Sequence, residues 1–404
     1  MSITVSRCAN GLTVATDRMP EAPSLALGVW VKVGTRDEPA EAQGVAHLVE
    51  HMMFKGTARR DAKALSEAIE GVGGYSNAYT SREETAYYVR VLPEHAGLAV
   101  DVLADMVQHS LIDPRELERE RNVILQEIGQ AFDTPEDYIF DCAQDMAFPE
   151  QGLGWPILGQ PKNIAVMPRE QITDYLARCY GAGNMLLAAA GNIDHAALVA
   201  LTEQHFTALP PGVPVERRAA RYRGGKRHEA RDLEQHHLII GFSAPGWQQP
   251  DYPAMQLLTS LLGGGSASRL FQEVREKRGL AYHVSSSAQA YCDAGVMQIY
   301  AGTSPEQARE LQDVIWEVLA RLPDDLNESE CARAQAQIRA GLIMGQETAS
   351  SRLEQLAHEI LVWGKPLPLA EKLARFAAVQ PHQIRAVAQK LTPNAATIVT
   401  LGEG

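Results

Sequence analysis

A proline-rich stretch near the middle of the chain constrains the fold more than any other feature. Leu209-Pro210-Pro211-Gly212-Val213-Pro214 is followed by a basic, glycine-containing run over 217–227. Prolines remove backbone donors and push the preceding residue out of the helical region, so 209–230 reads as a linker. It divides the 404 residues almost in half, into 1–208 and 231–404. The halves share a coarse pattern. Each opens on an apolar strand, over 25–32 and 237–243, and continues into an apolar helix, over 44–54 and 252–262. A second helix, a strand pair and a run of helices follow, and each half closes on an apolar strand, over 185–190 and 397–401. The pattern predicts an α+β fold of two similar α/β-sandwich halves related by internal duplication. Each half would be a mostly antiparallel sheet packed by helices.

Bulk properties exclude several classes. Hydrophobic residues make up 45% of the chain and charged residues 22%, ordinary values for a protein with a sizeable core. The net charge of -13 has the wrong sign for a nucleic-acid binder, so no such partner is expected. The five cysteines are scattered and form no C-x-x-C pair, which argues against a disulfide framework and a cysteine metal site. That pattern points to a reducing compartment. The N-terminus reads as a β-hairpin turning at Asn10-Gly11, without the basic segment and apolar core of a secretory signal. Apolar runs are too short to span a bilayer, so no membrane partner is expected.

The densest chemistry lies at Gly44-Val-Ala-His47-Leu-Val-Glu50-His51-Met-Met-Phe-Lys-Gly56. On a helix, His47 and His51 stack one turn apart on one face and can reach one ion. Glu50 shares the broad face of His47 and can stand beside a metal without binding it. Ionisable groups flanked by apolar residues are costly to bury unpaired, and a metal removes that cost. The competing reading is a hydrogen-bonded His/Glu patch. A third ligand is expected on a helix starting at Asp113-Pro114, a good cap and first-turn pair. Glu120 and Glu127 lie two turns apart on it. Glu127, beside apolar Leu125 and Ile128, is expected to be the more buried, and spacing alone does not choose between them. Superposing Asp113-Pro114 on Asn327-Glu328 puts Ala334 opposite Glu120 and Gly341 opposite Glu127, so only the first half carries the constellation.

His47-Leu-Val-Glu50-His51, with a glutamate 76 residues after the second histidine (127 − 51), resembles the inverted zincin motif of the pitrilysin/insulinase peptidases. The likeness is nearest to the mitochondrial processing peptidase β-subunit and its bacterial relatives, and extends over most of the chain. It implies a zinc endopeptidase in which His47, His51 and Glu127 bind Zn2+, Glu50 is the general base and Glu120 supports the site. It further implies that Asn77 assists catalysis, that Ala78 and Tyr79 lie on a strand pairing with substrate backbone, and that Arg275 and Tyr282 stabilise the transition state. Gly263, Gly264 and Gly265 would contact substrate, and Asp137 and Asp141 would hold a substrate arginine. Residue by residue, the alternatives are a turn residue at Asn77, a charged surface helix at Arg275, a helix C-cap at the glycines and a solvated acidic face at the aspartates. The expected assembly is a homodimer enclosing unstructured peptides in a chamber, with a heterodimer as the alternative. Arg275 and Tyr282 would act from the second chain, and the expected compartment is the bacterial cytoplasm. The rival reading is a noncatalytic or obligate heterodimer subunit of the same fold.

Overall fold

The computed structural model describes residues 2–403. The chain runs β1 (Ser2–Arg7), β2 (Thr13–Arg18), β3 (Leu25–Val31), α1 (Val45–Met53), α2 (Ala62–Glu70), β4 (Tyr75–Thr80) and β5 (Thr85–Val91). It continues through α3 (Ala96–His109), α4 (Pro114–Asp133), α5 (Pro135–Ala147), α6 (Pro161–Ile164), α7 (Arg169–Cys179), β6 (Met185–Gly191) and α8 (His195–His205). Then come β7 (Gly225–Ala230), β8 (His236–Ala244), α9 (Tyr252–Gly263), a π-helix (Phe271–Glu276), β9 (Val284–Ala290) and β10 (Gly295–Thr303). The last elements are α10 (Ala308–Asp325), α11 (Glu328–Met344), α12 (Ala349–Trp363), α13 (Leu369–Ala377), α14 (Pro381–Ala388) and β11 (Thr397–Gly402).

Two sheets form. The first has the order β1-β2-β6-β3-β5-β4 and the second β7-β11-β8-β10-β9. In the first, β2 and β6 are parallel and every other pair is antiparallel. In the second, β7 and β11 are parallel and every other pair is antiparallel. Apart from β1, the two sheets therefore repeat one strand order and one set of senses. The fold is α+β with two similar halves, as the sequence pattern predicts.

The partition of the chain is less simple than two contiguous halves. One compact unit takes in the chain as far as Gly129, together with Trp155–Arg218 and Gly345–Pro366. The other takes in Gln130–Gly154, Ala219–Met344 and the chain from Leu367 onward. The expected linker over 209–230 is also shorter than its composition suggests. Gly225–Ala230 is strand β7, and Asn184 Nδ2 and Arg217 fasten the preceding segment to the first unit, donating to Val213 O and Asp37 respectively.

Each sheet has an inner face on a large core and an outer face covered by one helix. In the first unit the outer face is built of small residues: Ala15, Ala26, Ala86, Ala188 and Ala190, with Trp30 and Leu186. Helix α12 lies on it through Ala349, Leu353, Leu356, Ala357 and Ile360. The small side chains of the sheet face leave room for the leucines and isoleucine of α12 to pack densely against it. Arg352 of α12 is buried and makes a two-pronged ion pair with buried Asp17 of β2. In the second unit, α5 covers the outer face through Ile139, Cys142 and Ala143 against Ile239, Tyr300, Val399 and Leu401. Each half of the sequence thus supplies the outer helix of the unit whose sheet comes mainly from the other half.

Helix α1 is seated by two backbone-level devices. Gly44 caps it at φ +95°, and its Cα faces Gly159, itself at φ +79°. A Cβ on Gly159 would stand 2.4 Å from Gly44 Cα, so neither position has room for a side chain. The Glu38 carboxylate accepts from Gly44 N and Ala46 N, both at 2.8 Å, satisfying first-turn donors that the helix itself cannot. Replacing Gly159 with alanine combines a left-handed backbone angle with a backbone clash, and is expected to cost about 1–3 kcal/mol. A lowered melting temperature checks this.

Behind β4 lies a second polar cluster. Trp30 Nε1 donates to Tyr79 OH at 3.1 Å, and Tyr79 OH lies 3.0 Å from Glu84 Oε1 and 3.2 Å from Glu354 Oε2. One hydroxyl proton serves only one carboxylate at a time, so a proton on one of the two carboxyls is favoured. Burial, aided by the nearby Glu354 and Glu83 charges, pushes Glu84 up to about 7, and burial also raises Glu354. The folded protein therefore holds this proton more tightly than the unfolded chain does. The associated stability, up to about 3 kcal/mol, is fully present below the ordinary carboxylate range and is lost as pH rises through about 7. Glu84→Gln is expected to flatten this part of the stability profile between pH 5 and 8, measured by chemical denaturation.

Candidate metal centre

Helix α1 is short, and almost every residue on it is buried: Val45, Ala46, His47, Leu48, Val49, Met52 and Met53. Its apolar side chains belong to the first core, so packing fixes the face of the helix from which His47, Glu50 and His51 project. The rings of His47 and His51 lie 4.6 Å apart, centroid to centroid. Helix α4 starts as its sequence signals, with Asp113 Oδ1 accepting from Arg115 N and Glu116 N. Ile124 and Leu117 anchor it in the core, which brings Glu120 and Glu127 to α1.

Glu127 Oε2 lies 3.6 Å from His51 Nε2 and 3.9 Å from His47 Nε2. One ligand atom from each of His47, His51 and Glu127 lies within 4.8 Å of the others. These separations are too long for hydrogen bonds. They suit donors grouped around one ion, since zinc bonds of about 2.0–2.1 Å in a tetrahedron set donors about 3.3 Å apart. Burial, with His51 a smaller contribution, pushes His47 down to about 4, so its imidazole is neutral and able to ligate at pH 7. Its Nδ1 is buried without a hydrogen-bond partner.

Glu120 is buried, more so than Glu127, which reverses the ranking expected from the sequence, and it does not join this trio. Its Oε2 lies 2.9 Å from His51 Nδ1, and its Oε1 is 2.7 Å from Lys55 Nζ. The bond at Nδ1 directs Nε2 of the same ring toward Glu127. Glu50, half-buried, accepts a hydrogen bond from Thr80 Oγ1 at 2.5 Å. Burial raises the Glu50 carboxyl above its ordinary range, while Thr80 and then His51 pull it back and Glu127 pushes it up.

The remaining sequence candidates fall in several places. Strand β4 is the edge of the first sheet. Its Ala78 packs on the inner core, and Thr80, on the same face by alternation, reaches Glu50. Asn77 and Tyr79 point the other way. Asn77 Nδ2 donates to Tyr75 OH at 2.7 Å, and Tyr79 joins the Trp30 cluster. The side chain that touches Glu50 is therefore Thr80 rather than Asn77. Sequence reasoning missed it, although the period of two along Asn77-Ala78-Tyr79-Thr80 separates those two faces.

Arg275, Tyr282, Asp137, Asp141 and the three glycines belong to the second unit. Arg275 lies on the π-helix with its guanidinium 4.7 Å from the ring centres of both Phe271 and Tyr282. Tyr282 is 83% exposed. Asp137 is exposed and Asp141 half-buried, one turn apart on α5. Gly263 ends α9 against Ser286 of β9, Gly264 caps the helix and Gly265 is exposed. Among the described residues of α11, neither Ala334 nor Gly341 offers a ligand. No helix among the described residues is long and apolar enough to cross a membrane.

Known proteins agree with this architecture. Residues 13–161 match the family described as insulinase (peptidase family M16), and residues 167–338 match the peptidase M16 inactive domain. An uncharacterized zinc protease of Rickettsia felis is 37% identical, covering 98% of this chain and 97% of the relative. One from Mycobacterium tuberculosis is 39% identical, covering 94% and 89% respectively. Among solved structures, a protease from Helicobacter pylori superposes with a TM-score of 0.94 at 22% identity, covering 99% of each chain. A peptidase M16 inactive domain from Pseudomonas fluorescens superposes at 0.92 and 22% identity, covering 100% of this chain and 99% of the other. With the inverted motif on α1, a carboxylate brought to it by α4 and this full-length likeness, the chain belongs to the pitrilysin/insulinase family of peptidases, family M16.

Proposed function

We propose that this chain is a zinc-dependent endopeptidase acting on unstructured peptides. The observation that carries the reading is the convergence of His47, His51 and Glu127 within 4.8 Å of one another beside a half-buried carboxyl, Glu50. His47 and His51 would hold Zn2+ through Nε2, and Glu127 through Oε2. When bound, zinc polarises a peptide carbonyl and lowers the pKa of a water to about 7.

The protein's own groups would do the rest. Glu50 takes the proton from the attacking water onto its carboxylate and returns it to the amine nitrogen that leaves. Its raised proton affinity suits a group that must take up a proton and return it. Glu120 holds the proton of His51 on Nδ1 and leaves Nε2 as the ligating atom. The open edge of β4, with Asn77, Ala78 and Tyr79, would pair with a substrate backbone and grip it independently of sequence. Arg275 and Tyr282 would stabilise the developing charge, Gly263 to Gly265 would contact substrate, and Asp137 with Asp141 would hold a basic side chain. A homodimeric chamber would supply Arg275 and Tyr282 from the second chain, in the cytoplasm.

Glu50→Gln is expected to reduce turnover of a mixed peptide pool about 10²–10⁴-fold without loss of bound zinc. Cleavage is followed by mass spectrometry and metal by elemental analysis. Undiminished cleavage rejects the base assignment. Glu120→Gln is expected to weaken zinc binding about 10–100-fold in chelator competition, because the acceptor that orients His51 loses its charge. An unchanged affinity rejects that supporting role.

A further inference from the structure

The hydroxyl of Thr80 is the one hydrogen-bond donor on the Glu50 carboxylate among the described residues, and it comes from outside the metal-binding helices. We propose that Thr80 is a positioning residue. It holds the Glu50 carboxylate in the orientation from which a proton is exchanged with the reacting water and the leaving amine. The inference rests on the reading of Glu50 as the base.

Glutamate has several rotatable bonds, and burial alone does not choose among its rotamers. A directional hydrogen bond to an ionised acceptor does. The bond is 2.5 Å long and engages Oε2 only, which leaves Oε1 for proton exchange. The donor is itself rigid. Threonine is β-branched and has restricted freedom at χ1, so the strand backbone sets the direction of its hydroxyl. Thr80 is paired in register with Thr85, whose own hydroxyl donates to Val33 O. The turn that follows is closed by Ser81 N bonding Glu84 O at 2.8 Å. Thr35 N and Arg36 N then clamp it from outside by bonding Ser81 O and Arg82 O.

Thr80 sits on the edge strand expected to receive the peptide. Its neighbour Tyr79 is fixed on the opposite face by Trp30, Glu84 and Glu354. Bonds on both faces of β4 therefore keep the hydroxyl over the base while the free edge remains open to a partner strand. The substitution that isolates this role removes the hydroxyl and keeps the shape.

The test uses the zinc-loaded, whole 404-residue chain. Thr80→Val is expected to lower kcat about 10–100-fold with little change in KM, the loss expected of one charge-assisted hydrogen bond. Thr80→Ser, which restores the donor, is expected to recover most of the rate. Chelator competition should give the same zinc affinity for wild type and Thr80→Val, and melting temperatures should stay close. A crystal structure of zinc-free Thr80→Val is expected to show the Glu50 carboxylate displaced. Thr80→Ala repeats the comparison if valine disturbs the strand. Wild-type kcat in both Val and Ala variants, with Glu50→Gln inactive, overturns the positioning role and leaves the base assignment standing. So does equal loss in Val and Ser accompanied by a lowered melting temperature, or a parallel fall in zinc affinity. Full activity of Glu50→Gln overturns the base assignment and this inference together. With Glu50→Gln inactive, a further loss on adding Thr80→Val to its residual rate shows that the hydroxyl acts elsewhere, and overturns this inference alone.

Discussion

The site depends on the burial of α1. Seven of its nine residues are buried, and the helix carries three ionisable side chains into that environment. In such surroundings an unpartnered charge is expensive, so each group must be neutral or held. The structure meets this requirement differently for each. His47 is neutral by burial, His51 is held by Glu120, and Glu50 is held by Thr80. What is left over is one acceptor nitrogen on each imidazole and one oxygen of Glu127, pointed into a shared space. Burial thus produces both the cost and the cluster of donor atoms.

The same economy of partners appears in how the units are covered. Residues 1–208 build the first sheet but lack α12, which covers the alanine-rich outer face carrying Trp30. Residues 231–404 lack α5, which covers the outer face of the second sheet. A cut in the proline-rich segment would therefore leave each sheet with an uncovered apolar surface, and the buried Asp17 without its arginine. Losing one partner of a buried ion pair is strongly destabilising. The halves are similar in strand order, yet neither contiguous half contains a finished unit.

These two features explain what could and could not be seen in the sequence. Local signals were legible. The spacing of His47 and His51 implied a helix, Asp113-Pro114 marked the start of α4, and alternating apolar residues marked β3 and β8. The repeated order of elements pointed to a duplication. The helix exchange was not legible, because apolar periodicity says that a face is buried and not which sheet buries it. Likewise, composition made 209–230 resemble a linker throughout, although a parallel partner, β11, turns its last six residues into a strand. Spacing on α4 left Glu120 and Glu127 equivalent. Only the packing of Leu117 and Ile124 against the core decides that Glu120 meets Nδ1 of one ring while Glu127 faces Nε2 of both.

Thr80 lies at the junction of these arguments. It is 30 residues from Glu50 in sequence and belongs to no metal-binding motif. Its place beside Glu50 follows from strand alternation, which turns Asn77 and Tyr79 to one side and Thr80 to the other. The far side of β4 is held by Glu354 on α12, a helix from the opposite end of the chain. The strand that carries the contact to Glu50 is therefore tied to α1 through Thr80 and to α12 through Tyr79. A motif supplies the reactive groups, but their orientation is set by side chains that long-range packing brings to them.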